Sequence, residues 1–137
     1  AEKGKGAFLN DQRIRVAGRK RLADSVIACG LPHIGRGDFA LAHQETGLMQ
    51  EQVAGLRRCG AAALDLAWVA AGRLDGYWER DLKPWDIAAG LILVREAGGF
   101  VTGCEGNDDA LASGNVVAGN EIIQKELVRV LKQAAKG

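Results

Sequence analysis

The sequence predicts an α/β layered fold with mostly parallel strand pairing, and three observations carry that expectation. Short apolar segments of strand character alternate with longer helical ones. One helical segment, Ala61 to Ala71, is apolar nearly all round and broken only by Asp65, as a buried helix must be. The composition, 47% apolar and 26% charged over 137 residues, is that of one soluble globular domain with a core of its own.

Taken in order, Ala7-Phe8-Leu9, Asn10-Asp11-Gln12 and Arg13-Ile14-Arg15-Val16 read as a β-hairpin, because Asn and Asp tolerate the positive φ of a tight turn. A chain that opens inside a hairpin, with no earlier element to pack on, has the look of a fragment. Residues 1–21 are therefore expected to be the end of an antiparallel sheet, and residues 22–137 an α/β unit. Ser25 to Cys29 is the first apolar strand, closed by Gly30 and Pro32. Asp38 offers an N-cap to a helix running to Val53, with Phe39, Ala42, Leu48, Met49 and Val53 as its apolar face. Leu56 to Cys59 is a short strand or connector, and Gly72 ends the apolar helix. Leu74 to Glu79 is the next strand. Pro84 opens a helix at a position where its missing N–H costs nothing, and Gly98-Gly99 stops it. Phe100 to Thr102 is a strand, Gly103 to Asn115 a polar loop, and Val116 to Ala118 a last strand. Asn120 caps a final helix bearing Ile122, Ile123, Leu127, Val130 and Leu131.

Charge and cysteine usage narrow the function classes. A formal charge of +1 gives no global pull toward nucleic acid or membrane. The longest apolar run, Ile87 to Val94, falls well short of the about 20 residues needed to span a bilayer. Cys29, Cys59 and Cys104 are odd in number and widely spaced, which predicts reduced, buried thiols in a cytoplasmic protein. His33 and His43 share no metal-ligand spacing. Lys3, Lys5, Arg13, Arg15, Arg19, Lys20 and Arg21 concentrate positive charge in residues 1–21. They suit a solvated strand face or an acidic partner such as nucleic acid, though no stacking aromatic lies among residues 13–21.

Three features suggest a polar ligand site. Gly60-Ala61-Ala62 lies where a strand hands over to a helix; small residues there serve close packing or let a ligand reach the free N–H groups of a helix start. Glu79 closes a strand, as a solvated acid or a ligand acceptor. Asp86 sits in the first turn of the Pro84 helix, where an acid complements the helix dipole. With Trp85 before it and apolar Ile87 to Gly90 behind, it also suits a hard cation such as Mg²⁺. In a parallel sheet all three fall on the carboxyl edge, where open α/β sheets bind ligands.

The motifs Gly4-Lys5-Gly6-Ala7-Phe8-x-Asn10, Arg57-x-x-Gly60-Ala61-Ala62-Ala63-x-Asp65, Trp85-Asp86-Ile87-Ala88-Ala89-Gly90 and Glu96-Ala97-Gly98-Gly99 resemble the inositol monophosphatase family, bacterial extragenic suppressor proteins in particular. The resemblance spans the chain from Gly4 to the last helix. It implies a Mg²⁺-dependent phosphomonoesterase of layered αβαβα sugar-phosphatase type, acting on a small phosphorylated polyol such as inositol 1-phosphate. It assigns Asp86 as metal ligand and catalytic residue, Glu79 as the acceptor of substrate hydroxyls, and Gly60, Ala61 and Ala62 as the backbone turn facing the substrate. It also implies a homodimer, and with no apolar run long enough to span a bilayer no membrane contact is expected. Some bacterial members act on RNA polymerase or ribosomal RNA synthesis, a role the basic residues 13–21 would suit.

The family's upstream metal ligands, an acidic strand glutamate and an Asp-Pro-Ile/Leu-Asp-Gly-Thr motif, have no counterpart here; Leu74-Asp75-Gly76-Tyr77 is only an echo. The chain thus matches the C-terminal half of the family, and the 137 residues alone are expected to be inactive.

Overall fold

A computed structural model describes residues 1–137. Alternation along the strands sorts the core into two halves. Ile27, Cys29, Trp78 and Val117 pack on one face of a sheet, and Ala28, Tyr77, Val116 and Ala118 on the other. Successive strand side chains point to opposite faces, so short apolar runs can feed two cores at once.

The hairpin strands β1 (Phe8–Leu9) and β2 (Gln12–Arg13) form a separate two-stranded sheet, turned by Asn10 and Asp11 at φ 51 and 64°. Then follow β3 (Val26–Cys29), α1 (Phe39–Gln50), β4 (Gly55–Arg57), α2 (Ala62–Ala70), β5 (Gly76–Glu79), α3 (Pro84–Glu96), β6 (Phe100–Thr102), α4 (Ala110–Ser113), β7 (Val116–Gly119) and α5 (Glu121–Lys136). The five-stranded sheet has the order β4-β3-β5-β7-β6. Helices α2 and α3 cover one face through Leu66, Val69, Ile87 and Val94. Helices α1 and α5 cover the other through Met49, Ile123, Leu127 and Leu131. The chain builds an α/β/α sandwich, three layers of the αβαβα arrangement.

Several expectations are refined. The sheet is mixed: β3 runs parallel to β4 and β5, but β7 runs antiparallel to both β5 and β6. The polar loop contains the single-turn helix α4, stopped by Gly114 in the left-handed region at φ 78°. Asp38 caps α1 as expected, its carboxylate accepting from the Leu41 N–H at 3.0 Å. The buried face of α1 differs, however: Phe39 is 46% exposed, whereas Glu45 is buried with Met49. Asn120 caps α5, accepting from the Ile123 N–H at 2.8 Å. Of the three cysteines, Cys29 and Cys104 are buried but Cys59 is exposed. Burial pushes the Cys29 thiol up to about 11 and the Cys104 thiol up to about 12. No helix is long and apolar enough to cross a membrane.

The hairpin is tied down near the far end of α3. The Val16 N–H donates to the Ala97 carbonyl at 3.0 Å, and the Gly6 N–H donates to Glu96 Oε1 at 2.8 Å. Ala7 is fully buried, while Phe8 and Leu9 stay largely exposed.

Candidate functional site

Because β3, β4 and β5 are mutually parallel, their carboxyl ends share one edge, and the turns leaving them lead into α1, α2 and α3. Gly60 occupies the left-handed region at φ +84°, which lets the backbone double back into α2. No side chain caps that helix, whose N-cap is Ala61. Its first N–H groups therefore lack helical partners and can meet an anion or a hydroxyl oxygen. Gly60 and Ala61 are exposed, and Ala62 is half-buried.

Glu79 ends β5, half-buried. The Tyr77 hydroxyl, two residues back on the same strand face, donates to its Oε1. Its carboxyl group lies over Gly30 on the neighbouring strand end, in space that any side chain at that position would fill. Burial pushes the Glu79 carboxyl above its ordinary value; the Tyr77 hydroxyl opposes this, the negative charge of Asp65 adds to it, Arg58 opposes and Asp86 adds. Asp65, Asp86 and Arg58 are thus each near enough for their charge to act on Glu79. The Arg58 guanidinium leans over the Gly60 turn, with Nη1 3.1 Å from where a Cβ would stand.

Asp86 is half-buried, and its Oδ2 accepts from the Lys83 N–H at 2.9 Å, closing the first turn of α3. Capping uses that one oxygen; no hydrogen bond reaches Oδ1. The residues are brought to one edge, yet no three His, Cys, Asp or Glu side chains come together as a metal-holding group. Since Mg²⁺ takes about six oxygens, this chain alone does not fit the ion. At most it contributes Asp86 as a single ligand.

Asp65, in the sequence the one break in an apolar helix and the last residue of the Arg57 motif, is fully buried, and neither of its carboxylate oxygens has a hydrogen-bond partner. Burial pushes its carboxyl above the ordinary value, with the nearby Cys59 thiol and Arg58 charge only partly offsetting. A group whose folded pKa is raised contributes stability that is present below about pH 3.9 and lost as pH rises through its folded value. Asp65→Asn is therefore expected to stabilise this chain by about 1 kcal/mol near pH 7, with the gain vanishing near pH 4. Urea unfolding at both pH values checks this. A less stable variant at pH 7 would mean that the carboxylate has a partner.

Other residues fall outside the cluster. His33 and His43 are exposed. Trp85 is 79% exposed beside Asp86, whereas Trp78 is buried on the opposite sheet face. Asp108 pairs with Arg95 at 2.9 Å. Tyr77 could have been found from the sequence, because positions two apart on a strand share a face. Arg58 and Glu45 carry no such local signal.

Comparison with known proteins gives a consistent set of relatives. The profile of the inositol monophosphatase family matches residues 1–136. An inositol-1-monophosphatase of Mesorhizobium japonicum is 57% identical over 132 residues, covering 96% of this chain and 50% of that protein. The Nus factor SuhB of Escherichia coli K12 is 42% identical over 128 residues, covering 93% of this chain and 48% of that protein. The crystal structure of the extragenic suppressor protein suhB from Bartonella henselae superposes with a TM-score of 0.94 at 53% identity, covering 97% of this chain and 51% of that one. The chain thus spans about half the length of the curated relatives it matches.

Proposed function

This chain belongs to the inositol monophosphatase family, and from that premise we propose that it supplies the substrate-facing half of a phosphomonoesterase site. The substrate is a small phosphorylated polyol, inositol 1-phosphate by default. The observation that carries the reading is the shared sheet edge: an uncapped helix start at Gly60–Ala62, a raised and half-buried Glu79, and Asp86 with one free oxygen.

Each group has a distinct task. The N–H groups at the start of α2 receive oxygens of the substrate, and their fixed dipoles favour negative charge. Glu79, oriented by the Tyr77 hydroxyl, keeps Oε2 open to accept from polyol hydroxyls. Asp86 Oδ1 would be this chain's one ligand to Mg²⁺, which when bound would supply charge to clamp a phosphoryl group and activate water. The remaining ligands must come from outside these residues, so no step through the metal is assigned to this chain.

Accordingly, the 137-residue chain with Mg²⁺ and inositol 1-phosphate is expected to release no phosphate above background, while the gene product that supplies the missing ligands does. A colorimetric phosphate assay on both decides it. Turnover by the 137 residues comparable to the complete relatives would refute the half-site reading.

The homodimer implied by the resemblance and the cytoplasmic location expected from cysteine usage belong to the same proposal. A second reading, regulatory binding to RNA polymerase or RNA, draws on the Nus-factor designation of the Escherichia coli relative and on the exposed Arg13, Arg15, Arg19, Lys20 and Arg21. Arg19 and Arg21 already pair with Asp75 and Asp24, which weakens it. Replacing Arg19, Lys20 and Arg21 by Ala tests it through loss of RNA polymerase or RNA binding.

A further inference from the structure

We propose that Glu45 is a positioning residue for Glu79, acting through the two residues that flank it. Glu45 lies on α1, 3% exposed, against the sheet face opposite to Tyr77 and Glu79. Its Oε2 accepts from Trp78 Nε1 at 2.8 Å and its Oε1 accepts from Arg80 Nε at 2.6 Å. One carboxylate from another element thus grips the residues immediately before and after Glu79. On the near face, Glu79 is held by the Tyr77 hydroxyl and seated over Gly30.

The place needs such a grip. Pairing of β5 with β3 ends at Trp78, opposite Cys29, so Glu79 has a strand partner only on the β7 side, at Val116. Just beyond, Asp81 turns the chain at φ 61°. A strand terminus of this kind is where local opening begins. Stability alone does not account for an ion pair there, since apolar side chains of similar volume generally serve as well or better. What the pair adds is direction, fixing the backbone from which the Glu79 side chain departs. The same residues, Glu45, Trp78, Glu79 and Arg80, line a cavity of about 50 Å³ that opens beside Glu79 toward the Gly30–Asp38 loop. Slackening the clamp would therefore widen the place where a polyol ring meets its acceptor.

The inference rests on the reading of Glu79 as the acceptor of substrate hydroxyls. Its test compares two esters in the gene product carrying this chain. One is inositol 1-phosphate; the other is 4-nitrophenyl phosphate, which brings no polyol hydroxyl to Glu79. Glu45→Leu is expected to raise KM for inositol 1-phosphate on the order of 10-fold, leaving kcat and the aryl ester's KM within about twofold. Glu45→Gln, which keeps one acceptor, recovers part of the loss. Arg80→Met cuts one strut and leaves the Trp78 bond, so it serves where Glu45→Leu does not fold. Equal damage to both esters, or none to either, overturns the proposal. Independently of turnover, the ¹³C carboxyl resonance of Glu79 should shift and broaden in Glu45→Gln and Arg80→Met; an unmoved resonance also overturns it. A moved resonance in a protein that turns over neither ester upholds the clamp and counts against the phosphatase reading alone.

Discussion

Asp86→Asn in the gene product carrying this chain is expected to cut phosphate release from inositol 1-phosphate by at least about 100-fold, since even outer-shell partners of metal ligands are worth 10–100-fold. The substitution separates the observed capping by this residue from its proposed task as a metal ligand. Asparagine retains a side-chain oxygen able to accept from the Lys83 N–H, so the first turn of α3 keeps its closure. It removes the negative charge that Oδ1 would offer to Mg²⁺. Stability should therefore stay within about 0.5 kcal/mol of the parent while activity collapses. Rescue by a tenfold excess of Mg²⁺ over the parent's requirement would indicate a weakened site; full activity without it would remove Asp86 from the chemistry. Loss of turnover with an intact cellular phenotype would favour the regulatory reading.

Gly90→Val is expected to destabilise the fold by about 3 kcal/mol or more, and Gly90→Ala by about 1–3 kcal/mol. Gly90 is where α3 crosses α2. A Cβ there would stand 2.6 Å from Leu66 Cβ and 3.0 Å from its Cγ, and Leu66 is fully buried. The consequence reaches the site, because Gly90 lies one helical turn after Asp86 and Leu66 lies one turn after Ala62. Forcing the helices apart separates the start of α3 from the start of α2. Urea midpoints of the three proteins check the stability order. Equal midpoints would show that the crossing relaxes freely, which a close-packed interior does not allow.

Much of this was legible locally. The Asn10-Asp11 turn, the Asp38 and Asn120 caps and the Pro84 start are written in residues whose own backbone or side-chain chemistry demands them. The expected carboxyl edge of the sheet and the family resemblance also bring Gly60, Glu79 and Asp86 to notice as a group. Strand direction at β7 was not legible, because a short apolar strand looks the same whichever way it runs. Nor was the burial of Glu45, which by type belongs on a solvated helix face. Its partners, Trp78 and Arg80, are 33 and 35 residues away.

The sequence by itself determined the identity and order of the elements, their caps and turns, and the family to which they belong. These depend on interactions between residues a few positions apart. Only the tertiary structure decided that the sheet is mixed, that Asp65 is buried without a partner, and that one helix carboxylate grips both neighbours of Glu79. Such features depend on which distant groups are taken out of water together, and desolvation is a property of the assembled layers, not of any single segment.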